Sequence, residues 1–415
     1  MSEFYQSVRD RLIRYARVNT QSGRNTGRTP TTERQFDLAR MLLKELQEIG
    51  VDASLDEGAC IVYATLPSNL EHGRDIPFAL IAHMDTSPDA PSDHVCPHVV
   101  EHYDGADILL NEEKNIVMSP KEFPNLLLYV GQDLVVTDGT TLLGGDDKAS
   151  IAAIMTFAEH LIHHPEIRHG TIALAFTPDE EVGGLAKDLD LDRLGARVAY
   201  TLDGDHLGYY EFETFNASEA TLTVTGRSVH PGTSKNTMVN AVDIACQFAS
   251  MLPPVEKPQH TSGREGFFHV VSVHGNCEKA EVYLIIRDHD MEKFEEREKL
   301  IQSIADELAL RYGKDRISLT IHRQYLSMKP VVDNVPYLVD NLKEAIRSAG
   351  VTPIADAFRG GTDGSALSHR GLPCPNLSAG YENAHGRFEY VPIQSMEKNV
   401  EILLHLCRLF TEVPE

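Results

Sequence analysis

Apolar residues follow two rhythms along the chain. In PFALIAH (77–83), GTIALAFTP (170–178) and ARVAYTLDG (196–204) they run almost unbroken for the length of one strand, as in strands covered on both faces. Between the first two lies DDKASIAAIMTFAEHLIHH, where Ile151, Ile154, Phe157 and Leu161 recur at helical spacing. The opening stretch MSEFYQSVRDRLIRYARV places Phe4, Val8, Leu12 and Tyr15 on one helical face in the same way. Alternation of strand, helix and strand predicts an α/β fold with a mixed, mostly parallel sheet flanked by helices.

The pattern changes near residue 215. EATLTVTG alternates as a strand, TMVNAVDIACQFASML reads as a helix, and FFHVVSVHG and AEVYLIIRD read as two strands. A charged amphipathic helix from Met291 to about Tyr312 and the strand RISLTIHRQY follow. This β-α-β-β-α-β order predicts a ferredoxin-like α+β sandwich. NVPYLVDNLKEAIRSAG then gives a helix and the α/β pattern resumes. The expected organisation is one larger domain in two parts, 1–214 and 326–415, interrupted by an inserted domain over 215–325.

A net charge of −24 opposes nucleic acid or an anionic membrane surface as partner. No run of 18 apolar residues is present, so no membrane span is expected, and the charged N-terminal helix does not read as a signal peptide. Cys60, Cys96, Cys246, Cys277, Cys374 and Cys407 are scattered without a C-x-x-C pair. Reduced thiols in a cytoplasmic protein are the expectation, and a cysteine-based zinc site is not.

Polar residues then become informative by where they fall. His83 and Asp85 of AHMDTS sit where the first strand runs out, Glu180 and Glu181 of FTPDEEVGG just past the second, and Asp203 of TLDGD at the end of the third. Singly, each has an ordinary explanation: a solvated turn for the acidic run, or helix N-capping for the acids of GGDDKAS. Together they converge on the edge of a parallel sheet where ligands bind. With Asp146 of GGDDKAS and His385 of ENAHGRFE, the set is two imidazoles and three carboxylates as ligands, suited to zinc, with cobalt or manganese as alternatives. They suffice for two ions if one carboxylate bridges a pair roughly 3.5–4 Å apart. Of the adjacent acids, Glu181 is expected as ligand and Glu180 as the base that handles a proton. Asp85 can hold the imidazole nitrogen of His83 that faces away from the metal.

His160, His163, His164 and His169 of HLIHHPEIRH read as surface helix and turn residues, since no carboxylates share their spacing. His230 of SVHPGTS has either a structural role or, on a mobile domain, a role in stabilising an oxyanion. The turn RGGTDGSALS, with Arg359, Gly360, Gly361 and Thr362, opens a helix and can present backbone N–H groups to a substrate carboxylate or a phosphate. Arg287, ending VYLIIRD, is a candidate carboxylate clamp or an ordinary surface ion pair.

The stretches AHMDTSPD, TDGTTLLGGDDKA, AFTPDEEVG, YTLDGD, EFETFNA, VHPGTSKNTMVNA, IIRDHD, RGGTDGSALSHRGLPCPNL and AHGRFE, in this order, resemble the peptidase T family. These are tripeptide aminopeptidases of the di-zinc metallopeptidase superfamily that also contains aminoacylases and glutamate carboxypeptidases. The resemblance implies a first metal on His83 and Asp203, a second on Glu181 and His385, and Asp146 bridging them. It implies Glu180 as general base, Asp85 as the residue orienting His83, and substrate contacts from His230, Asn240 and Arg287. The inserted domain corresponds to the family's lid, which in relatives often mediates dimerisation, so a homodimer through it is an expectation of the same origin. GGDDKA stands where GADDKA is the family's usual form, and ENAHGRF also departs; neither removes a ligand. The expected function is a cytoplasmic di-zinc aminopeptidase acting on short peptides, tripeptides first. A dipeptidase, aminoacylase or carboxypeptidase would use the same metals. A non-catalytic metal- or peptide-binding protein would lack a ligand or the base, and none is missing.

Overall fold

The computed structural model describes residues 2–71, 75–184 and 186–413, and the chain divides into two compact units. The larger comprises Met1–Phe212, Met328–Asp356 and Thr362–Glu415; the smaller comprises Glu213–Ser327 and Ala357–Gly361.

In the larger unit eight strands form one sheet, in the order Asp52–Asp56, Ile61–Leu66, Ile172–Thr177, Phe78–His83, Val198–Gly204, Asn376–Ser378, Tyr209–Thr214 and Ile354–Phe358. Phe78–His83 pairs in parallel with both Ile172–Thr177 and Val198–Gly204, and Asn376–Ser378 runs parallel to the latter. Antiparallel strands lie outside this parallel centre. The unbroken apolar runs have their expected cause. Phe78, Leu80 and Ala82 face one core with the helices Tyr5–Ala16, Gly145–His163, Pro336–Ser348 and Ile393–Phe410. Ala79 and Ile81 face a second core with Leu194, Leu367 and Leu372.

The expected helical positions Val8, Leu12 and Tyr15 are fully buried in Tyr5–Ala16, as are Ile151, Ile154 and Phe157 in Gly145–His163. Phe410 closes the first core: its ring stacks on Phe78 at 4.3 Å between centroids and meets Tyr200 edge-on at 6.1 Å. Truncating such a ring to alanine costs about 3–5 kcal/mol. One histidine departs from the surface reading. His169 is buried, with Nδ1 donating to the Gly170 carbonyl at 2.8 Å and its amide to Asn69 Oδ1 at 2.9 Å, because the turn before Ile172–Thr177 folds inward.

The smaller unit has the order strand Asn216–Thr225, helix Ala241–Met251, strands Phe267–Gly275 and Lys279–Asp288, helix Met291–Tyr312 and strand Ile317–Tyr325. Its sheet is antiparallel throughout, ordered Phe267–Gly275, Lys279–Asp288, Asn216–Thr225, Ile317–Tyr325. Leu222, Val224, Val282, Leu284 and Ile286 pack on Phe248, Phe294 and Leu308 of the helices, so alternate positions stay wet. The first helix starts at Ala241 because Asn240 caps it, Oδ1 accepting from the Val242 amide at 3.1 Å.

Residues 357–361 join this smaller unit, where the sequence places them with the larger. The reason is local: the Phe215 amide donates to the Gly360 carbonyl at 3.2 Å, and the Arg359 guanidinium lies over the Phe215 and Phe267 rings.

Candidate metal centre

The parallel strands stop at one edge of the larger unit's sheet, and the side chains singled out for chemistry stand there. His83 ends its strand in register with Thr177. Its buried imidazole has Nδ1 3.1 Å from the Asp85 carbonyl and 3.4 Å from Asp85 Oδ1. Nε2 faces the other way, 3.0 Å from Asp146 Oδ1 and 3.4 Å from Asp203 Oδ1.

The Asp85 carboxylate has a second set of partners. Oδ1 accepts from the Glu180 amide at 2.9 Å and Oδ2 from the Glu181 amide at 3.2 Å. One buried acid thus holds the imidazole and also the backbone that delivers the two glutamates. Asp179 has a different place: at a left-handed φ of 64°, its carboxylate accepts from the Thr31 amide at 2.8 Å and from Gln35 Nε2 at 2.7 Å. The run Asp179-Glu180-Glu181 is therefore a built turn and not a solvated one.

The acids of GGDDKAS do not cap their helix. Gly144 is the N-cap, without a side-chain bond, and Asp146 and Asp147 depart from helical backbone angles. Asp147 Oδ2 accepts from the His83 amide at 3.1 Å. Asp146 turns into the cluster and meets two imidazoles, Oδ1 at 3.0 Å from His83 Nε2 and Oδ2 at 3.1 Å from His385 Nε2. His385, half-exposed and at a φ of 62°, also stands 2.8 Å from Glu181 Oε2. Ligand atoms of His83, Glu180 and Asp203 lie within 4.8 Å of one another, as do those of His83, Asp146 and Glu181. Glu180 thus belongs to the first group, and Glu181 to the second.

The electrostatics call for positive charge. Burial, reinforced by Asp203, holds the Glu180 carboxyl well above its ordinary range. Burial and Asp146 push Glu181 up to about 8, and burial pushes Asp203 up to about 6. Only Asp146 is driven below its usual range: burial opposes this, and hydrogen bonds from His385 and His83 overcome it. Hydrogen bonds to Asp146 and Glu181 raise His385 to about 11, so protons on imidazole do the neutralising that a cation does better. Glu181 Oε1 is buried with no hydrogen-bond partner among the described residues. A donor set of imidazole and carboxylate with an orphaned oxygen fits a pair of divalent ions.

Three supporting residues escaped the sequence reading. Glu389 is buried and accepts three backbone amides, Leu143 at 2.8 Å, Gly144 at 2.7 Å and Asp146 at 2.9 Å. Asp147 holds His83 as described. Asp363 is buried, with Oδ2 accepting from Thr177 Oγ1 at 3.0 Å. The available signal was an acid inside the apolar run FEYV, which in a buried segment requires donors. The glycine of GGDDKA also has its reason: a Cβ on Gly145 would stand 2.5 Å from Val391 Cγ2 and 3.1 Å from Glu389 Oε1.

The remaining candidates are placed as follows. Thr362 and the short helix Asp363–His369 belong to the larger unit, Arg359, Gly360 and Gly361 to the smaller. Arg359 donates to the carbonyls of Gly263 and Glu265 at 2.6 and 2.8 Å and to Thr261 Oγ1 at 2.9 Å. His230, Asn240 and Arg287 are in the smaller unit. His230 Nδ1 accepts from the Gly232 amide at 3.1 Å. Arg287 donates to the Ser218 carbonyl at 3.1 Å and Gln324 Oε1 at 2.9 Å, and lies over the Tyr325 ring.

The family described as "Peptidase dimerisation domain" matches residues 212–315. Peptidase T of Geobacillus thermodenitrificans is 47% identical over 409 residues, covering 98% of this chain and 99% of that protein. Two solved structures share the fold. A tripeptidase from Staphylococcus aureus has a TM-score of 0.78 at 22% identity, with 99% of each chain covered. A dinuclear metal-binding peptidase of the M20 family from Bacillus subtilis has a TM-score of 0.69 at 13% identity, again with 99% of each covered.

Proposed function

The chain belongs to the peptidase T family, and from that premise we propose that it is a metallo-aminopeptidase that removes the N-terminal residue of short peptides, tripeptides above all. The observation that most supports this reading is the Asp146 carboxylate reaching toward His83 with one oxygen and His385 with the other. His83 and Asp203 would hold one ion, Glu181 and His385 a second, and Asp146 both. The proposed ions are zinc, with cobalt or manganese as alternatives, on the nitrogen and oxygen donors present. When bound, they supply Lewis-acid polarisation of the scissile carbonyl and make water a better nucleophile at neutral pH.

The chain's own residues do the rest. Glu180 receives the proton of the attacking water and delivers it to the departing amine. Asp85 keeps His83 in one tautomer and holds the Glu180 amide, so ligand and base share one anchor. His230 is proposed to hold the oxyanion, and Asn240 and Arg287 to recognise the peptide's C-terminal carboxylate, alongside the turn Arg359–Thr362. Recognition of both peptide ends would set the length preference. A homodimer through the smaller unit is proposed on the dimerisation-domain match. A cytoplasmic location is proposed on the six free cysteines.

Product analysis on mixed di-, tri- and tetrapeptides, with and without chelator, tests the reading. Release of the N-terminal residue from tripeptides should dominate and stop on chelation. Equal release from N-acetylated tripeptides would overturn it in favour of an aminoacylase or carboxypeptidase.

A further inference from the structure

The helix that begins near Asp146 ends in the histidines the sequence left on the surface. His160 and His164 lie one turn apart, with ring centroids 4.2 Å apart, and His164 is the C-cap. A third donor comes from Glu3, far back along the chain. One ligand atom from each of Glu3, His160 and His164 lies within 4.8 Å of the other two. The three border a cavity of about 120 Å³ that Phe4, Ser7 and Thr156 also line.

We propose that Glu3, His160 and His164 form a third metal site for a divalent transition ion of the zinc type, separate from the cluster around Asp146. Two imidazoles and a carboxylate are the donor set of many zinc centres, and three protein ligands leave a position for water. The surroundings fit. His164 Nδ1 lies 2.9 Å from Glu166 Oε1, which orients the ring and leaves Nε2 as its ligand atom. The Phe4 ring meets His160 edge-on at 5.0 Å and fixes it from the other side. The last turn of the helix carries the negative end of its dipole, which favours a cation. An ion held there clips the N-terminal segment to the end of the helix whose other end carries Asp146.

Equilibrium dialysis of the full chain against increasing free zinc reads the ions bound per chain, and thermal denaturation reads the clip. The parent should bind one ion more than the His160→Ala/His164→Ala double variant, while both hydrolyse peptide at the same rate. Added zinc should raise the Tm of the parent beyond that of the variant. Glu3→Gln should weaken the additional ion at least about tenfold, since even outer partners of a site contribute that much. Equal stoichiometry in parent and double variant overturns the site. Undiminished affinity in Glu3→Gln removes Glu3 from it.

Discussion

Glu389 and Asp146 are joined through the backbone: Glu389 Oε1 accepts the Asp146 amide at 2.9 Å, while Oε2 takes the amides of Leu143 and Gly144. The segment that carries His385 thereby grips the turn that carries the proposed bridging acid.

Glu389→Ala should weaken metal binding by roughly 10–100-fold, the usual effect of removing an outer partner that orients a ligand. Glu389→Gln, which keeps one acceptor oxygen, should lose less. Competition with a chromogenic chelator measures both, and an unchanged affinity in the alanine variant would show that the turn holds without this grip.

Glu180→Ala should retain its metals and lose about 10²–10⁴-fold in kcat, the range for a positioned acid–base group. Metal analysis and steady-state tripeptide hydrolysis on one preparation decide the matter. Turnover at the parent rate would assign the proton transfer elsewhere.

Gly145→Ala introduces a methyl 2.5 Å from Val391 Cγ2. Overpacking of this kind costs about 1–3 kcal/mol. The loss in Tm should be recovered in part by Val391→Ala, which opens the contact. If the double variant is no more stable than Gly145→Ala alone, the obstacle is not Val391.

Glu211, which is not among the proposed ligands, gives a pH dependence of its own. Burial raises its carboxyl from the ordinary 4.5 to about 8, against the lowering effect of Asn376 Nδ2 at 2.9 Å. Below the ordinary value both folded and unfolded chains hold the proton, and the contribution is complete. As pH rises toward 8 the unfolded chain ionises first, and that stability is lost. Glu211→Gln should therefore raise Tm at pH 8.5 and change it little at pH 4.5. Thermal denaturation at the two pH values tests this, and an equal effect at both would exclude ionisation as the cause.

Much of the centre was legible before folding. Glu180 and Glu181 stood out because adjacent acids after a buried strand need a reason, and His83, Asp85 and Asp203 because strand ends of a parallel sheet share an edge. Glu389 of AHGRFE has no legible role in the linear order, which does not say that Leu143, Gly144 and Asp146 point amides at it. The HLIHH histidines show no shared carboxylate in the linear order because Glu3 is remote in sequence. The glycine-rich turn 359–362 reads as an anion binder through its backbone N–H groups, and the fold adds that the Arg359 side chain donates to Thr261, Gly263 and Glu265.

Periodicity and residue chemistry thus determined by themselves the element types and the interrupted α/β plan, because burial of apolar side chains enforces those rhythms locally, and they marked out the candidate acids and imidazoles. Only the tertiary structure decided which oxygen faces which nitrogen and which acid serves as anchor. It also decided that Gly145 has no room for a methyl beside Val391. Electrostatics and packing act through space, over a few ångströms, between residues that the chain keeps hundreds of positions apart.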